Sequence, residues 1–539
     1  MPSVSELDTL RTVEEKLAEL AAQNTKLQAE RDEYKKLYLQ MLELCRKLER
    51  GLLGPKRERF VDSDSQLAMS MLNLLVGDGA NGSAATPPIV EQDVKAHTRQ
   101  KPTGRKPLPE KLPRVDIEIL PPEVQRQGLD AFERIGEDVS ETVERRPASL
   151  VVVRTHKPKF VPKGRDRFAE THVLQAPPPE LPIPRGLAGP ALLADTVVRR
   201  WQDHLPLHRL ERIYGREGLE LARSTVCGWH EELSTLVQPL VTAMWKDALA
   251  SPYLCTDATG VLVQAKEQCR HGHFWVVAAP ERHVLFGYSP RHDSAAVDEM
   301  LSGYQGYLVA DAHVVYDHLF KTGEVVEVGC WSHCRRYQYK ALQSDPERAK
   351  YALTLIGALF RIERECAGFT PEQRLRVRQV QSKPIVDIFF AWCDEQAPLV
   401  LDETPISQAI GYARNHRIAF ARFLEDGRLP LHNNFSEREL RREALGRRNW
   451  IFLGSDDGGE VNATFVTLLA SCQLHDIEPS GYLRDIFCLL PGWNQKRVLE
   501  LAPVNWKKTL EDSDAQQRLD ANVFRQVSLG AMDSHRPLK

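Results

Sequence analysis

The sequence predicts a multidomain α/β protein, and three observations support this prediction. The chain has 539 residues, and because domains usually contain about 100 to 200 residues, several domains are expected rather than one. With 42% hydrophobic and 27% charged residues, it has the composition of a folded globular protein. The spacing of apolar residues is helical near the N-terminus, strand-like from about residue 251 and helical again beyond residue 345.

Charge and hydropathy limit the classes of function. The formal net charge is −3, which disfavours a protein that coats nucleic acid with its whole surface, so any basic site must be local. No run approaches 18 apolar residues and the N-terminus has no signal-peptide pattern, so no membrane partner is expected. Ten irregularly spaced cysteines are typical of a reducing compartment. We therefore expect a cytoplasmic protein.

Residues 6–50 are predicted to form a coiled coil. They contain neither Gly nor Pro, and apolar residues recur at alternate spacings of three and four, with Asn24 at an a position of the heptad. A coiled coil would join protomers into a homodimer or a higher oligomer. A single amphipathic helix folded back on its own chain is the alternative. A short helix and a linker rich in Gly, Ala, Ser and Pro follow over residues 51–94.

The region 95–185 is predicted to hold a basic arm and a small β domain. Residues 95–114 carry a net charge of +6 and four prolines, and residues 145–167 carry +7 around a β-branched run. Such blocks can bind phosphates, while a solvated linker is the alternative for the arm. Residues 186–245 follow as a helical DNA-binding domain, whose last two helices have the spacing of a helix-turn-helix. An ordinary compact three-helix domain, which gives the same pattern, is the alternative.

Residues 246–344 are predicted to form the first part of a catalytic core. Three successive strands are followed by a helix and a fourth strand, which is the element order of an RNase H-like fold. In that fold the first and fourth strands are neighbours. Asp257 lies in the first strand and Asp311 at the end of the fourth, so their carboxylates should meet at one edge of the sheet.

The third carboxylate is assigned to Glu437, in the second part of the core over residues 426–490. Leu440 and Ala444 form an apolar stripe on the predicted helix and Glu437 borders it, whereas Glu439 and Glu443 are expected to point toward solvent. The stretch 345–425 between the two parts of the core is predicted to be a helical insertion. Residues 491–539 are expected to form a C-terminal tail.

Converging carboxylates predict a metal site. They can bridge two Mg²⁺ ions about 3.5–4 Å apart, one activating the attacking hydroxyl and the other stabilising the leaving oxygen of a phosphoryl transfer. Asp257, Asp311 and Glu437 are thus the predicted catalytic residues and metal ligands, with Mn²⁺ as a substitute. Each acid has a structural alternative: a turn at Asp257, a helix cap at Asp311 and a capping box between Asn434 and Glu437.

Polar residues close to Glu437 in the sequence are predicted to surround the site. Asn433 and Asn434 either position Glu437 or merely begin its helix. Five arginines of the same segment are predicted to contact DNA, although a salt-bridged helix face would account for one or two of them. They are Arg438, Arg441, Arg442, Arg447 and Arg448.

Together these motifs resemble the transposases of the insertion sequence 66 family, whose large TnpC-type protein has an acidic Asp-Asp-Glu site. The resemblance extends from about Leu52 to Trp506. Its motifs are "TDATGV" with Asp257, "GYLVADAHVVYDHL" with Asp311, "GCWSHCRRYQYKAL", "NNFSERELRREALGRRNWIFLGSDDGG" with Glu437, "EPSGYLRDI" and "ELAPVNW".

The resemblance implies an activity and its partners. It implies a DNA transposase that binds the terminal inverted repeats of a mobile element, cleaves at its ends with a divalent metal and joins the freed 3′-hydroxyl to target DNA. Arg335 and Arg336 would then contact phosphate and His333 would support the acids, and accessory proteins of the same element are candidate partners. The alternatives are a non-catalytic DNA-binding descendant and a structure-specific nuclease of RNase H-like fold.

One departure from the family concerns zinc. Relatives commonly carry a cysteine-rich zinc module after the "LPEKLP" stretch, and the corresponding segment of this chain contains no cysteine. Cys330, His333 and Cys334 are too tightly spaced on one predicted helix to close a tetrahedral site, and the alternating Cys269, His271 and His273 are a weaker candidate still. Zinc is therefore not expected.

Overall fold

The computed structural model describes residues 16, 24–28, 31, 108–110, 112–146, 149–163, 173–266 and 268–530. The chain divides into two units, one of residues 1–106 with Leu401–Thr404 and one of Pro107–Val400 with Pro405–Lys539. In the first unit, the described residues 16, 24–28 and 31 are helical and exposed. The rest of the predicted coiled coil and the linker lie outside the described residues, as does most of the basic arm.

The second unit begins with a small β-sheet. It contains β1 (Arg114–Glu118), β2 (Phe132–Arg146), β3 (Ser149–Pro162) and β4 (Leu174–Gln175), with a short α1 (Pro122–Gln127) after β1. Strand β3 is central, parallel to β1 and antiparallel to β2 and β4. The apolar run 150–153 is buried on both faces of the sheet, as a continuous hydrophobic strand should be. Leu150 and Val152 pack on the helical layer, and Val151 and Val153 pack on Phe524.

The charge of this sheet differs from the expectation of a basic β domain. Across residues 112–146 and 149–163 there are nine Lys and Arg and nine Asp and Glu. The basic side chains of β2 and β3 find acids on neighbouring elements, with Arg154 3.0 Å from Asp116 and Lys159 2.7 Å from Asp138. Within the described part of the +7 block, strand pairing thus places Arg154 and Lys159 beside acids of β1 and β2.

The helical domain predicted over 186–245 consists of three helices. They are α2 (Pro190–Val197), which continues into a π turn at Val198–Gln202, α3 (Leu207–Arg216) and α4 (Arg223–Ala248). Gly218 has φ of 91° in the turn between α3 and α4, a conformation that favours glycine. The pair α3–α4 thus has the expected turn, and its apolar face is buried through Leu210, Tyr214 and Leu233.

A second sheet forms the centre of the unit. Its strand order is β7-β6-β5-β8-β9, the first three antiparallel and the last two parallel, and short β10 adds to β5. The strands are β5 (Tyr253–Val263), β6 (Arg270–Ala279), β7 (His283–Ser289), β8 (Gly306–Ala310), β9 (Val325–Gly329) and β10 (Phe452–Leu453). Helix α5 (Ser294–Met300) connects β7 to β8, so three strands, a helix and a fourth strand follow one another as predicted.

Helices cover both faces of the central sheet. One apolar cluster joins it to α4 and to the long helix Asp456–Leu474, and another, which includes Trp331, joins it to the predicted insertion through Phe389 and Phe420. The helices from β8 to the site helix are α6 (Asp317–Phe320), α7 (Trp331–Ala341), α8 (Pro346–Glu365), α9 (Pro371–Val377), α10 (Lys383–Gln396), α11 (Pro405–Asn415) and α12 (Arg417–Ala421). None of the helices among the described residues has the length and apolar character to cross a membrane.

The C-terminal part is not the tail that the sequence predicted. The final helices are α13 (Asn434–Trp450), α14 (Asp456–Leu474), α15 (Pro479–Leu489), α16 (Pro503–Thr509), α17 (Ser513–Ala521) and α18 (Val523–Ser528). Leu501, Trp506 and Phe524 are buried, and α18 covers the outer face of the small sheet. Short amphipathic helices bury few residues each, which is why their pattern was weak in the sequence.

Candidate active site

Asp257 and Asp311 lie at the same edge of the central sheet. Strands β5 and β8 are parallel neighbours, and Cys255 pairs with Val309. Asp257 and Asp311 each lie two residues beyond that pair. Because side chains of parallel neighbours at equivalent positions share a face, the register brings the two carboxylates together.

The carboxylate of Asp257 has an unusual environment. Its pKa is raised from 3.8 to about 7, mainly by burial and in addition by the negative charges of Asp311 and Glu437. Two interactions oppose these effects: the amide of Ala258 donates a hydrogen bond of 2.8 Å to Oδ1, and Arg336 contributes positive charge. The three predicted acids are thus close enough to interact electrostatically.

Asp311 is followed by a strained backbone. Ala312 has φ of 59°, a left-handed conformation that is uncommon for residues other than glycine. This turn lets the amide of His313 donate a hydrogen bond of 3.2 Å to the Asp311 carboxylate. Strain at a residue next to a predicted catalytic group is typical of functional sites, since the surrounding structure must hold it in place.

Glu437 lies in the first turn of α13 and interacts with α7. One carboxylate oxygen is 3.5 Å from Nε2 of His333, and both oxygens are 3.5 Å from Nη2 of Arg336. His333 is largely buried, and burial together with Arg336 lowers its pKa while Glu437 opposes the shift. The structure therefore places His333 and Arg336 beside the acids, whereas Arg335 is partly exposed on the same helix.

Asn433 connects the helix of Glu437 to the strand of Asp257. Its side-chain amide donates a hydrogen bond of 2.7 Å to the carbonyl of Thr256, and its own amide donates to Sγ of Cys330 at 3.1 Å. Asn433 is fully buried at the start of α13, while Asn434 is exposed. Of the two asparagines, only Asn433 has contacts that can fix the position of Glu437.

The buried face of α13 differs from the predicted one. Glu439 and Glu443 are buried, with 8% and 3% of their surface exposed, although the sequence pattern pointed them toward solvent. Arg442 donates a hydrogen bond of 3.1 Å to Glu439, and Asn462 of α14 donates one of 3.2 Å to Glu443. Acids with such partners can be buried, and hydropathy alone cannot reveal that.

The five predicted DNA-binding arginines separate into two groups. Arg442 bonds Glu439, Gln202 and Gln473, and Arg447 bonds the hydroxyl of Thr259 and the carbonyl of Gly260. These two guanidinium groups are engaged within the protein. Arg438, Arg441 and Arg448 are exposed on the outer face of α13. Of these three, Arg438 also forms an ion pair with Glu439, at 3.4 Å.

The residues at this edge fit a divalent cation in part. Asp257 and Asp311 supply hard oxygen donors, and a cation would offset the repulsion that raises the pKa of Asp257. Glu437 is next to them but held by Arg336 and His333. Within the described residues no three His, Cys, Asp or Glu side chains are close enough to share a metal ion. The two aspartates therefore form the core of the candidate site, with Glu437 as the adjacent third acid.

Two histidines near Asp311 were not singled out in the sequence. The rings of His292 and His313 lie 4.8 Å apart, and the ring of His292 stacks on Trp275 at 4.9 Å. Asp311 influences His292 electrostatically, although burial and His313 dominate and lower the pKa of that imidazole. Because His313 follows Asp311 by two residues, the sequence could have predicted a histidine close to Asp311. No pattern in the sequence predicted that His292 lies beside His313.

The raised pKa of Asp257 predicts a pH-dependent stability. In metal-free protein, folding favours the protonated acid, so this group makes the wild type progressively less stable as pH rises from about 4 to about 7. Asp257→Asn lacks that charge. Thermal unfolding in a chelator should therefore show the variant melting above the wild type at pH 8, with little difference near pH 4. An equal difference in melting temperature between variant and wild type at both pH values would contradict the assigned environment of Asp257. Added Mg²⁺ should reduce the difference in melting temperature at pH 8.

Comparisons with known proteins agree on one family. The model described as "Transposase IS66 family" matches residues 185–461, slightly more than half of the chain and inclusive of all three acids. A second model, "Transposase C of IS166 homeodomain", matches residues 40–117.

Relatives in Sinorhizobium fredii (strain NBRC 101917 / NGR234) extend the likeness over most of the chain. The uncharacterized protein y4hP is 29% identical over 490 residues, which cover 86% of this chain and 88% of that relative. The uncharacterized protein y4qI is 28% identical over 517 residues, covering 92% and 94%. Their names state no function, so the family match carries the identification: the chain belongs to the IS66 family of transposases.

Proposed function

We propose that this transposase cleaves the ends of a mobile DNA element and joins them to target DNA through Asp257, Asp311 and Glu437. The observation that carries the proposal is the parallel register of β5 and β8, which puts two acids at one sheet edge, with the third acid on a helix bonded to β5. The order of strands and helices supports an RNase H-like core. In such a core this edge is where phosphoryl transfer takes place.

The roles of the residues follow from their contacts. Asp257 and Asp311 would hold a divalent metal, which we propose to be Mg²⁺ with Mn²⁺ as a substitute, and Glu437 would be the third acid. When bound, the metal supplies an activated hydroxyl and charge stabilisation of the leaving oxygen. Asn433 fixes the helix of Glu437 against β5. Arg336 and His333 hold Glu437 in position beside the aspartates.

DNA would approach along the outer face of α13. Arg438, Arg441 and Arg448 are exposed there, and this face begins beside Glu437. Local positive charge of this kind provides phosphate contacts in a protein whose net charge is −3. The helices α3 and α4 remain our candidate for recognising the terminal inverted repeats. The neutral small sheet is a weaker candidate than its sequence suggested.

Assembly is a further part of the proposal. We infer that residues 6–50 join protomers through a coiled coil, which would let two active sites act on the two ends of one element. Accessory proteins of the same element could take part in this complex. The predicted domain boundaries remain proposals, apart from the packing of residues 491–530 into the second unit.

The proposal is tested with a duplex that carries the terminal inverted repeat of the DNA flanking this gene. Wild-type protein in Mg²⁺ should cut at the end of the repeat and join the 3′-end to a target plasmid. Binding without cutting in either Mg²⁺ or Mn²⁺ would favour the non-catalytic DNA-binding alternative. Hydrolysis without joining would favour a structure-specific nuclease.

A further inference from the structure

Three exposed apolar residues form a corner where α13 ends and β10 begins. We call Leu445, Ile451 and Phe452 the apolar corner, and 50%, 63% and 41% of their surfaces are exposed. Single exposed apolar residues are ordinary, but three of them within eight residues at the end of the helix that carries Glu437 are a candidate contact surface. The catalytic proposal gives these side chains no role.

The backbone at this corner is strained. Ile451 has φ of 68° and ψ of −53°, which is close to a γ-turn of the rare strained kind and is unusual for a β-branched residue. The surrounding structure holds it there. Its amide donates a hydrogen bond of 2.9 Å to the carbonyl of Arg447, Trp450 packs under Arg200, and Phe452 pairs with Leu262 of β5. The fold thus imposes an exposed apolar turn rather than merely tolerating one.

The charges around the corner indicate what it contacts. Arg441, Leu445 and Arg448 are spaced by four and three residues, so they lie on one face of α13, and all three are exposed. Among the described residues, neither Arg441 nor Arg448 has a hydrogen bond or ion-pair partner. An apolar turn bordered by unpaired arginines is complementary to a partner that has both negative charge and apolar surface. Double-stranded DNA has both, in its phosphates and in its stacked bases.

We propose that the apolar corner inserts between base pairs of the DNA that leads into the active site. Arg441 and Arg448 contact the phosphates on either side, while Ile451 or Phe452 enters the opened base step and distorts the duplex. This deepens the proposed function and rests on it. Opening the duplex near the cut would bend the end toward Asp257 and Asp311, as apolar wedges do in other DNA-bending proteins.

The length of α13 sets where the distortion should occur. Fourteen residues separate Glu437 from Ile451, and at about 1.5 Å per residue they span about 21 Å. At about 3.4 Å per base pair along a strand, the opened step lies within about six base pairs of the cleaved phosphate. A distortion far from this position would not come from the apolar corner.

The experiment measures base unstacking by fluorescence of 2-aminopurine, placed in turn at each adenine of the inverted-repeat duplex. Full-length wild-type protein should raise the fluorescence at one step within about six base pairs of the cut. Ile451→Gly relieves the backbone strain, so it should fold, and Phe452→Ser keeps the backbone pairing of β10. At least one of the two variants, the one that removes the inserted side chain, should lose the fluorescence rise and cut the end about tenfold more slowly, the size expected for one lost base-stacking contact.

Ile418→Ser is the matched control, because Ile418 is 71% exposed on α12 and should leave both readouts unchanged. A wild-type protein that cuts the ends without unstacking any base overturns the inference and leaves the proposed function intact. The inference is also overturned if both corner variants keep the fluorescence rise, or if they dissociate the oligomer while the rise persists. If the protein neither binds nor cuts the duplex, both the proposed function and the insertion of the apolar corner are contradicted.

Discussion

Asp257→Asn should lower the rate of end cleavage more than about 100-fold, because Asp257 is a metal ligand in the proposed mechanism and losing a direct ligand costs more than losing the residues that orient one. Asparagine preserves the shape of the side chain and can still accept the hydrogen bond from the amide of Ala258. It removes the charge that a metal ion requires. The measurement is a single-turnover cleavage assay on the inverted-repeat duplex in Mg²⁺.

The loss of activity can be separated from a loss of folding. Since the metal-free variant should be at least as stable as the wild type at pH 8, an inactive Asp257→Asn protein is not simply unfolded. Duplex binding should persist or strengthen, because one negative charge beside the phosphates is gone. Asp298→Asn, at an exposed acid of α5, is the matched control and should cleave normally. Cleavage by Asp257→Asn within tenfold of the wild type would remove Asp257 from the mechanism.

The order of elements in the central sheet could be predicted from the sequence because strands and connections leave local patterns. Three β-rich segments, a short helix and a fourth strand were readable in order, and the structure pairs the first with the fourth. With that pairing, the position of Asp257 and Asp311 at one edge follows from register alone. The turn at Gly218 was predictable for the same local reason.

The environment of the site was less predictable because it depends on which polar side chains become partners once the chain has folded. The burial of Glu439 and Glu443 requires Arg442 and Asn462, and the engagement of Arg447 requires Thr259, nearly two hundred residues earlier. Charge counts along the sequence failed for a similar reason in the small sheet, where basic residues of β3 face acids of β2. Polar side chains reveal their burial only when their partners are known.

Arg378→Met should reduce the free energy of unfolding by about 3–5 kcal/mol, the cost of breaking a buried ion pair by removing one partner. Arg378 is fully buried in the π turn at Arg378–Ser382, between α9 and α10. Its guanidinium bonds both oxygens of Glu363 at 2.7 and 2.8 Å. It also donates to the carbonyls of Phe423, Asp426 and Leu429, at 2.7, 3.1 and 2.9 Å. Methionine fills similar space without any donor.

These contacts connect the helical insertion to the segment that precedes Glu437. The three carbonyls belong to the segment that leads directly into Asn433 and Glu437, so Arg378 ties the insertion to the start of α13. Urea unfolding should show the lost stability. Cleavage at a temperature where Arg378→Met remains folded should also fall, since the segment before Asn433 loses its anchor. A folded variant with wild-type cleavage would mean that the insertion does not position Glu437.

Two further variants decide whether the effect comes from the buried network. Arg376→Met, two residues earlier and exposed, should change stability by no more than about 0.5 kcal/mol. Adding Glu363→Met to Arg378→Met should recover part of the lost stability, because an unpaired buried carboxylate is then no longer left behind. If the loss in free energy of unfolding of the double variant instead equals the sum of the losses of the two single variants, the carbonyl contacts, rather than the ion pair, provide the stabilisation. The insertion then holds α13 through the backbone of residues 423–429.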